Sequence, residues 1–269
     1  MGSVGTSADF GVRENRIDID GVSINYASAG KGPKNVLCLP GAVGSWVTDF
    51  KPLLERYNHE KFTMVCWDPP GFGKSRPPVR DFSHGYNDRD AEKAHQLMEK
   101  LSLLPYSILG WSDGGVTALH IAHQQRETEN VERVVIWGSS SYVTRQQVMV
   151  YEGVRDTTKW SEANRRPYID LYGEEYFQWA WSQHFDARIE NFEKYNGNKC
   201  KDILPHIPQP VLVLHGTEDI FIGKEHPLYF KEMLPNCRVE FKERGIHSIH
   251  KQFFHWFKGH VEEFLLEKK

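Results

Sequence analysis

The residues best suited to chemistry surround Ser112, in the segment Gly110-Trp111-Ser112-Asp113-Gly114. An apolar run with strand character precedes Gly110, and a helical pattern follows Gly114. A residue on so sharp a strand–turn–helix junction has a strained backbone, and a side chain at either glycine would collide with the neighbouring strand or helix. The free backbone N–H groups at the start of the helix can stabilise a developing oxyanion. This G-x-S-x-G pattern predicts that Ser112 is a nucleophile.

A serine nucleophile needs a general base, and the base needs a group that orients it. Asp219 follows a predicted strand at 211–215, and His247 follows a predicted strand at 238–241. Loops at the carboxyl ends of parallel strands meet at one edge of the sheet. We therefore interpret His247 as the general base and Asp219 as the acid that orients it.

Taken singly, Asp219 has the alternative of a solvated turn carboxylate or a helix cap, and His247 that of an ordinary loop histidine. Their joint order behind the serine favours the catalytic interpretation. The nearest rivals are Glu218 and His250. Glu218 is expected to point away from Asp219, and His250 is expected to lie in the helix that begins after Ser248.

The oxyanion hole is expected in the loop Pro40-Gly41-Ala42-Val43, which follows a predicted strand at 36–39. Gly41 allows the backbone to approach the site closely. We predict that the backbone N–H groups of Ala42 and Asp113 are the two donors. The alternative is a loop that only turns the chain.

Apolar runs of strand length alternate with helical patterns along most of the chain. An early hairpin is predicted at 16–29 with its turn at Gly21. Further strands are predicted at 36–39, 63–67, 106–109, 134–137, 211–215 and 238–241. Helices are predicted at 50–57, 87–101, 115–125, 226–234 and 251–266. This alternation predicts an α/β fold with a mostly parallel central sheet and helices on both faces.

The alternation stops at 139–205, where no strand is predicted and aromatic residues are frequent. We interpret 139–205 as a helical cap inserted over the active site, and 1–138 together with 206–269 as the core. Most of the aromatic residues are expected to pack between the cap helices and the sheet, while a few line the pocket.

Three side chains are candidates for the walls of the substrate pocket. Val150 is the candidate from the cap. Val43, beside the oxyanion loop, and Phe221, two residues after Asp219, are the candidates from the core.

These motifs together resemble the α/β-hydrolase superfamily, in which the serine elbow, the acid and the histidine follow one another in this order. Other segments resemble one family within it, the valacyclovir hydrolase or biphenyl hydrolase-like family. Besides the elbow, they are Trp67-Asp68-Pro69, Ser75-Arg76-Pro77-Pro78, Arg80-Asp81-Phe82, Ile136-Trp137-Gly138, Tyr142-Val143-Thr144 and Tyr151-Glu152-Gly153-Val154-Arg155-Asp156. The resemblance extends from about Asp18 to the last residue, and it includes the segment between the elbow and the acid.

The resemblance implies an α/β-hydrolase fold and a serine hydrolase that cleaves carboxylic esters of α-amino acids, including amino-acid ester prodrugs. It implies no metal and no organic cofactor, and a small-molecule ester with a free α-amine as the partner. Asp113 matches the family residue that receives the substrate ammonium group.

The chemistry of Asp113 can also be considered by itself. A carboxylate beside a serine nucleophile disfavours an anionic transition state unless the substrate carries a compensating cation. Two unit charges 4 Å apart interact by about 4 kcal/mol at an effective dielectric constant near 20. The alternative is that Asp113 caps the helix or pairs with a nearby cation of the protein.

Composition narrows the class of protein further. The 269 residues carry a formal net charge of −3 and no cluster of basic residues, so we expect no nucleic-acid partner. No apolar run approaches 18 residues, so we expect no membrane span. The four cysteines lack metal-ligand spacing, which favours a reducing compartment. The first 13 residues have no apolar core, so the cytoplasm is expected, with mitochondria possible by family resemblance. We expect a monomer.

Other functions remain open on the same fold, because a fold does not determine its chemistry. One is a general carboxylesterase or a carbon–carbon bond hydrolase. Another is a ligand-sensing receptor that retains a slow triad. A requirement for a free α-amine would separate the amino-acid esterase from all of these.

Overall fold

An eight-stranded sheet forms the centre of the computed structural model, which describes residues 11–268. The strands are β1 Arg13–Ile19, β2 Val22–Ala29, β3 Lys34–Leu39, β4 Phe62–Trp67, β5 Tyr106–Trp111, β6 Val131–Trp137, β7 Val211–Gly216 and β8 Cys237–Lys242. Their order across the sheet is β1-β2-β4-β3-β5-β6-β7-β8. Strands β3 to β8 run parallel, while β1 and β2 form the predicted hairpin, in which Ile19 pairs with Val22. The prediction of a mostly parallel sheet is confirmed.

Helices cover both faces of this sheet. They are α1 Lys51–Arg56, α2 Tyr86–Lys100, α3 Asp113–Gln124, α4 Arg145–Val154, α5 Glu162–Tyr172, α6 Glu174–Lys194, α7 Glu225–Met233, α8 Ile249–Gln252 and α9 Phe254–Leu266. Neighbouring residues of β3 point to opposite faces: Leu37 joins the core formed with α2, α3 and α7, whereas Cys38 joins the core formed with α1 and α9. Strands buried on both faces explain the continuous apolar runs of the sequence.

One helix prediction needs correction, and a second helix has an additional turn before it. The helix predicted at 251–266 is divided, because the backbone at Phe253 leaves the helical region at φ −122° and ψ 52°. The helix predicted at 50–57 is preceded by a π-helical turn at Trp46–Phe50, whose residue Ser45 caps it. The hydrogen bonds of a π-helical turn span one residue more than those of an α-helix. Asp49 lies in this turn and is buried.

The segment between β6 and β7 contains α4, α5 and α6, and its aromatic residues form a third core. That core contains Tyr151, Tyr172, Phe177, Trp181 and Phe185 together with Val43 and Phe72 of the sheet region. Hydrogen bonds attach the segment to the loop after β4. The Tyr176 hydroxyl donates to the Gly71 carbonyl at 2.6 Å, and the Tyr172 hydroxyl accepts from the Gly73 N–H at 2.8 Å. Among the helices of residues 11–268, none has the length and apolarity needed to cross a membrane.

Candidate active site

Ser112 lies on a strained turn between β5 and α3. Its backbone has φ 55° and ψ −115°, a conformation that is rare for a residue with a side chain. A Cβ atom at Gly110 would come within 2.6 Å of the Gly114 carbonyl oxygen, and one at Gly114 would come within 2.2 Å of the Leu39 carbonyl oxygen. The two glycines therefore permit the close contact of β5, α3 and β3 that lifts the serine above the sheet.

Ser112, His247 and Asp219 form a hydrogen-bonded row at the carboxyl edge of the sheet. The Ser112 Oγ atom lies 3.0 Å from His247 Nε2, and His247 Nδ1 lies 2.8 Å from Asp219 Oδ2. An ionised carboxylate only accepts hydrogen bonds, so Nδ1 carries the proton and Nε2 is left to accept the proton of the serine. The Asp219 side chain is 1% exposed and the His247 side chain 19% exposed, so the acid is shielded while the imidazole remains reachable.

The loop that carries Asp219 stabilises the charge of the carboxylate. Asp219 Oδ1 accepts hydrogen bonds from the backbone N–H groups of Phe221 and Ile222, at 2.9 and 3.0 Å. Burial alone would raise the pKa of Asp219, but His247 and these hydrogen bonds hold it below its ordinary value. The acid is therefore ionised at neutral pH.

Gln147 on α4 also holds this loop, a contact that the sequence analysis did not predict. Its Nε2 group donates to the Phe221 carbonyl at 3.3 Å, and its Oε1 atom accepts from His226 Nε2 at 3.0 Å. The only signal in the sequence is the Thr144-x-x-Gln147 pattern of a capping box, which the structure contains. That pattern predicts where α4 begins but not which loop its glutamine contacts.

The two rival residues have other environments. Glu218 is exposed, while its backbone N–H donates to the Gly245 carbonyl at 2.8 Å. His250 lies in α8 and is buried, where its Nδ1 atom accepts from Trp137 Nε1 at 2.9 Å and its Nε2 atom lies 3.3 Å from the Asp49 carbonyl. Burial lowers the pKa of His250 well below its ordinary value, so its ring is neutral.

A buried carboxylate positions the loop expected to form the oxyanion hole. The Gly41 N–H donates to Asp49 Oδ2 at 2.9 Å, and an ideal Cβ atom at Gly41 would lie 3.4 Å from the Ser112 Cβ atom, so the loop lies against the serine. Asp113 is the first residue of α3, and its N–H therefore has no partner within the helix. The sequence analysis missed Asp49, because a single aspartate before a helix is usually a solvated or capping residue.

The Asp113 carboxylate is held by three side chains. Arg188 Nη2 donates to Oδ1, while the Tyr86 hydroxyl and the Asn87 amide donate to Oδ2 at 3.0 and 3.3 Å. The side chains of Arg188 and Asp113 are 6% and 13% exposed. Burial alone would raise the pKa of Asp113, but the guanidinium group of Arg188 holds it well below its ordinary value. Asp113 thus has a protein cation as its partner, which is one of the two arrangements left open by the sequence.

Arg188 is the third residue, after Gln147 and Asp49, that the sequence analysis missed. It lies on α6, 75 positions after Asp113, between Asp186 and Glu190. That local pattern of alternating charge is typical of an exposed helix face, so nothing in it indicates a buried ion pair.

The three candidate wall residues occupy different environments. The Phe221 ring lies beside the His247 ring, with their centroids 5.1 Å apart. Val43 is fully buried in the aromatic core beneath α4 to α6 and has a φ of +52°. Val150 is half-buried on α4. Among residues 11–268, no group of three or more His, Cys, Asp or Glu side chains is arranged to hold a metal ion.

Comparisons with known proteins agree with this architecture. The α/β hydrolase fold family matches residues 34–166. The chain is 39% identical over 264 residues to the human protein named serine hydrolase BPHL, covering 97% of this chain and 90% of that one. The mouse protein of the same name is 38% identical over 260 residues, covering 96% and 89%. Among solved structures, 2-hydroxy-6-oxo-6-phenylhexa-2,4-dienoate hydrolase from Rhodococcus sp. has a TM-score of 0.73 at 17% identity, covering 94% and 98%. That last likeness concerns the fold alone.

Proposed function

The chain is a serine hydrolase of the α/β-hydrolase family, and from this we propose that it cleaves carboxylic esters with Ser112 as nucleophile, His247 as base and Asp219 as orienting acid. One observation supports this assignment above the others. It is the continuous row of hydrogen bonds from Asp219 Oδ2 through the His247 ring to the Ser112 hydroxyl, at 2.8 and 3.0 Å. We also propose that residues 139–205 act as a cap over this row.

The mechanism follows from the direction of those hydrogen bonds. His247 Nε2 takes the proton of the Ser112 hydroxyl as the oxygen attacks the ester carbonyl, and Asp219 stabilises the imidazolium that forms. We propose the backbone N–H groups of Ala42 and Asp113 as the donors to the oxyanion. The alkoxide leaves with the proton from His247, so an acyl group remains on Ser112. Water then attacks the acyl-enzyme, His247 takes and returns a proton in the same way, and a carboxylic acid is released.

For the substrate, we propose esters of α-amino acids, with the Asp113 carboxylate near the substrate ammonium group. A carboxylate offers about four acceptor positions, and Arg188, Tyr86 and Asn87 occupy three of them. One position is left for a further donor. We propose Phe221, Val43 and Val150 as wall residues of the same pocket.

A general carboxylesterase is the second candidate, and one observation favours it. The charge of Asp113 is already balanced by Arg188, so the pair does not require a cation from the substrate. On this interpretation, Asp113 and Arg188 join α3 to α6, and the pocket selects substrates by shape alone.

The test is steady-state hydrolysis of paired p-nitrophenyl esters, one of a free amino acid and one of its N-acetyl derivative. A decrease of a hundredfold or more in kcat/KM on acetylation corresponds to about 2.7 kcal/mol of transition-state binding that depends on the ammonium group. That result supports the amino-acid esterase, and equal rates support the general esterase. Ser112→Ala is the control, since hydrolysis by pure Ser112→Ala protein would contradict the nucleophile assignment.

If neither ester reacts while an active-site phosphonate still labels Ser112, the nucleophile is sound and the bond cleaved is of another kind. A carbon–carbon bond hydrolase or a slow ligand-sensing receptor would then be the interpretation to pursue.

A further inference from the structure

A cavity of about 420 Å³ lies beside the site but does not include its reactive residues. It opens between α2, the end of α6 and the segment at 198–203. Ser112, His247 and Asp219 are not among its lining residues. The residues on which the argument depends are Phe82, Tyr86, Asn87, Arg188, Lys199 and Ile203. Its volume is within the range of about 300–1,000 Å³ that small-molecule sites occupy.

Two cationic side chains in this lining have unused donors. Arg188 uses Nη2 for Asp113 and for the Asn87 side-chain oxygen. Within the described part of the chain, its Nε and Nη1 atoms make no hydrogen bond, and the half-buried Lys199 ammonium group makes no hydrogen bond or ion pair. These donors are accessible from the cavity, where a bound anion can accept from them.

The acidic residues of the lining do not supply the missing acceptors. The Asp88 carboxylate accepts from Gln124 Nε2 at 2.9 Å and lies 3.2 Å from His120, while Glu190 pairs with Lys194 at 2.8 Å. The exposed Asp202 carboxylate accepts from Asn198 Nδ2 at 2.5 Å. The Asp88 and Glu190 side chains are 58% and 51% exposed, so both lie at the rim in contact with solvent. Because Asp113 balances the charge of Arg188, the unmatched positive charge in the inner part of the cavity is that of Lys199.

We propose that this cavity binds a small organic carboxylate, with its oxygens on Arg188 and Lys199 and its apolar part against Phe82 and Ile203. Because Nη2 of Arg188 is used for Asp113 and Asn87, Nε or Nη1 donates a single hydrogen bond to one carboxylate oxygen, and the Lys199 ammonium group donates to the other. The binding site stands on these residues alone. Its relevance as a site for the acid product of hydrolysis rests on the proposed function.

The wall of the cavity connects it to the active site. Tyr86, Asn87 and Arg188 line the cavity and also hold the Asp113 carboxylate. A carboxylate on Arg188 shares the guanidinium group with Asp113 and weakens its hold on that residue. Occupancy of the cavity is therefore expected to alter the ratio of kcat/KM for free-amine and N-acetyl esters.

The protonation of Lys199 gives the site a pH dependence. Burial and the charge of Arg188 lower the pKa of Lys199 to about 7, although Asp113 opposes this. Burial lowers the pKa of both His184 and His226 to about 3, so these rings stay neutral between pH 6 and 8. Other groups in the lining are the Cys200 thiol, whose pKa burial raises to about 12, and His120, whose ring contacts Asp88 and the Lys199 carbonyl. His84, which stacks on Tyr195, and the exposed carboxylates of Asp88, Glu190 and Asp202 complete the titratable groups around it. An anion binds the charged amine, so binding is stronger at pH 6 than at pH 8.

The experiment measures benzoate binding by calorimetry at pH 6 and pH 8. It uses enzyme phosphonylated at Ser112, so that the active site is blocked, and in parallel Ser112→Ala protein. We expect benzoate to bind both forms, and Lys199→Met to weaken binding at least tenfold and to remove the difference between pH 6 and 8. Ala187→Leu, which fills the cavity without changing its charge, is also expected to weaken binding at least tenfold.

Lys201→Met is the matched control, because Lys201 lies over the Tyr142 ring and does not line the cavity. The dissociation constant of benzoate from the Lys201→Met protein should stay within twofold of the parent value. Absence of benzoate binding at pH 6, or equal binding by the Lys199→Met and Lys201→Met proteins, overturns the proposal. Failure of the phosphonate to label Ser112 would instead count against the proposed function. The cavity would still be tested, because benzoate binding to Ser112→Ala protein does not require the phosphonate.

Discussion

Replacement of Arg188 by methionine removes the positive charge of the buried Arg188–Asp113 pair and leaves the negative charge in place. The Asp113 carboxylate, which is 13% exposed in the parent, would keep only the neutral donors of Tyr86 and Asn87. Loss of one partner from a buried pair costs about 3–5 kcal/mol of stability. Because two neutral donors remain, we expect a decrease in the free energy of unfolding near the lower end, about 3 kcal/mol.

The double variant Arg188→Met/Asp113→Asn contains neither charge. It is expected to lose less stability than Arg188→Met alone, which gives a coupling energy of about 2–3 kcal/mol in a double-mutant cycle. Urea unfolding followed by tryptophan fluorescence measures each value. Arg155→Met is the matched control, because the Arg155–Asp186 pair is 39% and 38% exposed and should contribute less than about 1 kcal/mol.

The single variant Arg188→Met also distinguishes the two roles proposed for Asp113, binding of a substrate ammonium group and a purely structural ion pair. If the carboxylate holds a substrate ammonium group, loss of its competitor Arg188 should raise the preference for free-amine over N-acetyl esters. Additive stability losses in the cycle would refute the reasoning about the pair. An unchanged ester preference, with the coupling present, would make the pair purely structural.

Two further predictions concern other buried groups. Asp49→Leu removes the acceptor for the Gly41 N–H and should lower kcat about 10- to 100-fold with little change in KM. Asp49→Asn keeps an acceptor oxygen and should retain most of the rate. Equal kcat values for Asp49→Leu and the parent would contradict a positioning role. Burial lowers the pKa of His226 to about 3 in the folded protein, whereas the pKa in the unfolded chain is about 6.5. Between these two values the unfolded chain binds a proton that the folded protein does not, so the free energy of unfolding decreases as the pH falls from about 6.5 toward 3. His226→Asn should therefore reduce the slope of unfolding free energy between pH 4 and 6 by up to about 1.4 kcal/mol per pH unit, and an unchanged slope in urea titrations would count against this.

The parts of the fold that follow from local pattern could be predicted from the sequence. Buried parallel strands are continuous apolar runs, and the G-x-S-x-G junction contains its own geometric constraint, so β5, Ser112 and the start of α3 were identified together. Asp219 and His247 could be selected as candidates because each follows a strand, and parallel strands end at one edge of the sheet, where the two side chains lie 2.8 Å apart.

The contacts that could not be predicted join segments with no local relation. The partner of Asp113 lies on α6, and no period or motif connects Arg188 to the elbow. Asp49 and Gln147 were missed for the same reason, since each acts through a backbone group of a distant or irregular loop. The division between α8 and α9 was missed because the spacing of apolar residues remains helical across Phe253, although the backbone of Phe253 leaves the helical region.

The position of β8 at the edge of the sheet affects how long the site remains intact. Within residues 11–268, β8 pairs with β7 alone, and the loop of His247 follows it. Backbone hydrogen bonds from Thr217 to Lys242 and from Glu218 to Gly245, at 3.0 and 2.8 Å, join the histidine loop to the acid loop. Edge elements open locally at a lower free energy than central strands. Such an opening takes His247 away from Asp219 and Ser112 while the centre of the sheet persists. We therefore expect amide exchange in β8, rather than global melting, to track the lifetime of the row of hydrogen bonds that joins these three residues.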